Sequence, residues 1–159
     1  MDIYQEFKKI TGFELLTRQT NYLSDRIERK DSLFSQLAIL YFTYPKKFKK
    51  LQQKVRDWLR KESSETIFAL AGYIYYITED FNKARKYFLK AISLNPDNLD
   101  NWIDLAFSLR HLGEYKISNG ILFNYDYLIY YYKYLKLKGC CYSKLKKLVF
   151  LIAARAYNL

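Results

Sequence analysis

The 159-residue sequence predicts an all-α protein, a right-handed solenoid of antiparallel helix pairs with about eight helices. Three observations carry this. Glycine numbers 5 and proline 2, too few turn residues for a β-rich chain of this length. Apolar residues recur every three or four positions along most of the chain. The third is a recurrence at 34 residues: Phe34, Phe68 and Trp102, then Leu37-Ala38, Ala71-Gly72 and Leu105-Ala106, then Tyr41, Tyr75 and Leu109.

The central stretch, residues 65 to 98, shows the unit most clearly. Phe68, Ala71, Gly72 and Tyr75 share one face of a first helix, and Ala84, Phe88 and Ala91 share one face of a second. Gly72 and Ala84 are small where two helices cross, and Tyr75 and Phe88 fill the space around the crossing. Asp80 and Asn82 are suited to cap the second helix, and Asn95-Pro96-Asp97 stops it. This order of large, small, aromatic and proline positions resembles the tetratricopeptide repeat. The resemblance implies a binding scaffold with a concave groove lined by the first helices, and no catalysis.

The unit extends in both directions with fading agreement. Residues 99 to 124 read as a partial repeat with a turn at Gly113, and Asn119-Gly120 and Asn124-Tyr125-Asp126 predict a short or irregular second helix. Residues 31 to 64 read as a degenerate repeat whose second helix, with Leu51, Val55 and Trp58, runs one residue late. Residues 1 to 30 read as capping helices broken near Thr11-Gly12, with Ile3, Phe7 and Ile10 as one stripe and Phe13, Leu16, Tyr22 and Ile27 continuing it. Residues 125 to 159 read as a basic helical hairpin turning at Lys138-Gly139-Cys140, the second cap of a single domain.

Half of the chain is hydrophobic, enough for a core. The charged opening MDIYQEFKKI does not read as a secretory signal. The longest apolar run, Leu148 to Ala154, is far short of the roughly 20 residues a bilayer span needs. A cytoplasmic protein is the expectation. Adjacent Cys140 and Cys141 cannot alone make a zinc site, and a disulfide between them would be strained, so they read as reduced thiols.

Little in the sequence suits an enzyme. His111 is the single histidine and falls in a predicted turn. P-loop, GxGxxG, HExxH and CxxC patterns are lacking. Asp97, Asp100 and Asp104 cluster near one helix start and read as capping and dipole stabilisation, not as metal ligands. No catalytic residue, cofactor or metal is expected.

Helical geometry assigns a groove face beside the packing face. It holds Thr66, Ala69, Tyr73, Tyr76 and Ile77 in the central repeat. Asp100, Ile103, Phe107, Arg110 and His111 follow in the next, and Ser32, Ser35, Ile39 and Phe42 stand in the preceding one. The candidate site is Tyr73, Tyr76, Ile77, Ile103, Phe107 and Arg110. The family's carboxylate clamp of Lys, Asn and Arg is not matched, because Ser35, Ile39, Leu70, Asp100 and Asp104 occupy those places. An aromatic groove fits a partner helix, a peptide, a partner subunit or a second copy, or else the chain's own terminal helix.

Formal charge is +11, spread as +6 over residues 1 to 64, −1 over 65 to 124 and +6 over 125 to 159. The C-terminal hairpin carries Lys133, Lys136, Lys138, Lys144, Lys146 and Lys147 among tyrosines, and Lys46, Lys47, Lys49 and Lys50 form a second cluster. Lysines with interleaved rings suit a nucleic acid or an anionic membrane surface, the alternative to protein binding. A solvated lysine face is the plainer reading of the same pattern.

Overall fold

A computed structural model describes residues 2–15 and 33–157. Among them run eight helices and no strand: α1 Ile3–Thr11, α2 Leu33–Thr43, α3 Pro45–Lys61, α4 Glu65–Ile77, α5 Phe81–Leu94, α6 Leu99–His111, α7 Tyr115–Leu137 and α8 Tyr142–Ala156. The expected stripe positions Leu16, Tyr22 and Ile27, and Ser32, lie outside the described residues.

Local chemistry sets the boundaries. Asp2 accepts from the Tyr4 and Gln5 amides to start α1, and Gly12 at φ 82° closes it with its N–H on the Lys8 carbonyl. Pro45 opens α3 at the first helical position, where it sacrifices no hydrogen bond. Asp80 caps α5 through the Lys83 amide and Asn98 caps α6 through the Asp100 amide.

Helices α2/α3, α4/α5 and α6/α7 form successive pairs, and α8 closes the array against α7. Helix α4 is apolar all round because it is enclosed: Ile67 to Ile74 are all buried among α2, α3 and α5. In α3 only Phe48, Leu51, Val55 and Trp58 are buried, the one-face pattern of an outer helix.

Two contacts give the stack its closest approaches. A Cβ at Gly72 would stand 2.5 Å from the Phe88 ring, so glycine there lets α4 and α5 cross. A Cβ at Gly120 would stand 1.8 Å from the Ala153 carbonyl oxygen, so α7 and α8 touch backbone to backbone. Trp102 is fully buried and donates its indole N–H to the Pro96 carbonyl at 2.8 Å.

One sequence expectation is refined. The second helix of the third repeat is irregular at Asn124, as expected, but no loop follows it and it is not short. α7 runs for 23 residues, and the break expected at Asn124-Tyr125-Asp126 is a kink at Asn124, at φ −135° and ψ 27°. The Asn124 side-chain amide donates to the Gly120 carbonyl at 3.2 Å, and two helical stretches meet at the kink.

Candidate functional site

The inner helices α2, α4 and α6 present the predicted groove positions. At their register Ile39, Tyr73 and Phe107 are equivalent, as are Phe42, Tyr76 and Arg110. Phe42 is 80% exposed, Ile39 47% and Phe107 43%. Tyr76 and Ile77 are half-buried, and Arg110 is exposed at the end of α6.

Two of the candidates lie beneath this surface and not on it. Tyr73 is 5% exposed and Ile103 3%. Tyr73 sits centrally on the enclosed α4, with its ring 5.3 Å from Phe88 and 6.1 Å from Phe34, and its hydroxyl donates to Asp104 Oδ2. It ties α4 to α6. Asp100 and Asp104, read from the sequence as first-turn residues, are likewise buried.

The structure adds two rings that sequence reasoning missed, Phe34 and Phe81, beside His111, which helical geometry had placed on the groove face. Phe34, assigned to the packing face, is exposed and lies 5.9 Å from Tyr76. Phe81 stacks on His111 at 4.3 Å with planes 3° apart, and Tyr76 meets each of them edge-on at 5.3 Å. Phe81 begins its helix, so it belongs to no periodic stripe that would reveal it. Burial, and then the Asp104 charge, raise the Tyr76 phenol above its ordinary pKa, so it is neutral at physiological pH.

The C-terminal lysines divide. Lys133 donates to both Asp97 oxygens at 3.0 Å, Lys136 donates to the Ser93 carbonyl at 3.0 Å, and Lys138 lies over the Tyr134 ring. The first two pin the distal half of α7 to the α5–α6 corner. Lys144 and Lys147 are exposed on α8, and Lys146 is half-buried. Cys140 and Cys141 are free thiols. A hydrogen bond with Ser143 is the main reason the Cys141 thiol is held below its usual range. Among the described residues no group of histidine, cysteine and carboxylate side chains could hold a metal, and no helix is long and apolar enough to cross a membrane.

Residues 66–98 match the tetratricopeptide repeat family. Repeats of this family generally mediate protein–protein interaction. No curated protein and no solved structure matches the chain.

Proposed function

We propose that the protein is a non-catalytic adaptor whose inner helices receive a peptide, or a helix of a partner subunit, across an aromatic and apolar groove. The carrying observation is the exposure of Ile39 and Phe107 at equivalent positions of α2 and α6, with Phe42 exposed one turn further along α2. Side chains of this size standing in water are unfavourable at roughly 25 cal/mol per Å² of apolar area, and a partner that covers them recovers that free energy. With α8 in place these rings remain exposed, which favours another chain over self-covering by residues 126–157. Arg110 at the edge supplies a cation that can hold a carboxylate or a helix C-terminus of the partner.

The test is capture from the native organism with wild-type protein and with Phe107→Asp. The expected result is loss of the captured partner in the variant. Its stability should stay within about 1 kcal/mol of wild type, because the side chain is exposed. Capture should also survive high salt, since the contact is apolar. Undiminished capture by Phe107→Asp would sink the groove reading.

A further inference from the structure

Charge is sorted by layer. The outer helix α3 carries eight cations and one carboxylate, Asp57, and the outer helix α5 carries four cations and none. The inner helices α2, α4 and α6 together carry one cation, Arg110, against Glu65, Asp100 and Asp104. We propose that the outer face of α3 and α5 binds the phosphate backbone of a DNA duplex without reading its bases. This surface is distinct from the groove and does not depend on it.

Some of the outer cations have partners within the fold. Lys47 donates to the Thr11 carbonyl, Lys54 pairs with Glu6, Arg60 with Asp57 and Lys83 with Asp80. Lys46, Lys49, Lys50 and Arg56 are exposed, and no hydrogen bond or ion pair engages them among the described residues. With Gln53 they follow one another at helical spacing, opposite the buried stripe of Phe48, Leu51, Val55 and Trp58. At about 1.5 Å per residue this line is about 15 Å long. One strand of DNA places a charge every 3.4 Å or so along its axis, so the line spans about four phosphates. The Arg56 charge also opposes that of Lys83 on α5.

The same face argues against other polyanion-bearing partners. No large apolar side chain is exposed on α3, and on α5 only Leu94 is, so little could insert into a bilayer. A protein interface would need an apolar or aromatic centre. A single strand would need open rings for its bases, yet Phe68, Tyr87 and Tyr75 stack on one another and are covered by Lys90 and Lys83. The line of cations is matched to the phosphate spacing along one strand of B-form DNA and meets the backbone, not the base edges.

The test is fluorescence anisotropy with a labelled 20-base-pair DNA duplex of arbitrary sequence. Wild type should lose about a hundredfold in affinity between 50 and 200 mM salt, as four phosphate contacts require. K49Q/K50Q/R56Q should lower affinity more than tenfold at 50 mM salt and reduce the logarithmic salt slope by about 3. K144Q/K147Q/R155Q removes equal charge from α8 and should change affinity less than threefold. All six side chains are exposed, and circular dichroism checks folding. If the α3 variant misfolds, K46Q/R56Q replaces it, with a slope reduced by about 2. Equal weakening by the α3 and α8 variants would reduce the effect to net charge and overturn the proposal. So would absent salt-sensitive binding, or tighter binding to duplex RNA or to phosphatidylserine vesicles than to DNA.

Discussion

Gly72, Gly120 and Trp102 show how single side chains set this stack. Gly72 faces the Phe88 ring, which can shift, whereas Gly120 faces the backbone of Ala153, which cannot move without carrying α8. Gly72→Leu should cost about 1–3 kcal/mol by overpacking, and Trp102→Ala about 3–5 kcal/mol by emptying a core site. Gly120→Ala adds one methyl and should cost at least as much as Gly72→Leu. Urea unfolding of the three variants measures this ranking, and near-neutral values at Gly72 and Trp102 would mean that the repeat register is wrong. Gly72 and Trp102 were legible because they fall on the 34-residue recurrence. Gly120 was not, because Asn119-Gly120 reads locally as a turn and only tertiary packing makes the position a helix crossing.

Between elements, polar clasps supplement the apolar contacts. The Glu65 carboxylate at the start of α4 accepts from the side-chain amides of Asn95, Asn98 and Asn101 at 2.9, 2.6 and 2.9 Å, so one residue gathers the α5–α6 corner. Glu65→Ala should destabilise the protein by about 1–3 kcal/mol, and Glu65→Gln by less, as read by thermal or urea unfolding. At the N-terminal end, Glu6 joins α1 to α3 by accepting from the Trp58 indole at 2.8 Å and pairing with Lys54 at 3.2 Å. The indole hydrogen bond first, and then Lys54, hold this carboxyl below its usual range. A depressed pKa in the folded state stabilises above the unfolded value and is lost as pH falls through the folded one. Glu6→Gln should therefore be less stable than wild type at pH 7, and the difference should shrink at a pH below the ordinary carboxylate range. An equal difference at both pH values would contradict the pairing. These clasps were not legible, because their partners stand 30 to 52 residues apart and no periodicity links them.

For the whole molecule, the order of helices and their pairing were legible, since each inner helix repeats the small-residue and aromatic pattern of the last. The groove was legible only as a set of positions. Helical geometry gives the direction in which Tyr73 and Ile103 leave their helices, but neighbouring elements decide whether they meet solvent, and here they do not. The division into a basic outer layer and a nearly neutral inner one was hidden in a linear charge count. The count mixes α4 with α5 and returns a neutral centre. The kink at Asn124 bears on how the molecule comes apart. Arrays of this kind, joined by loops, can unravel one unit at a time, because each contacts only its neighbours. Here two helical stretches, joined only by the kink at Asn124, lead from the third repeat into the C-terminal hairpin with no loop between them. Melting the distal half of α7 removes Tyr132 from Trp102, and melting the proximal half withdraws Gly120 from α8. The last three helices should therefore open together, which native-state hydrogen exchange would read as one shared opening free energy across α6, α7 and α8.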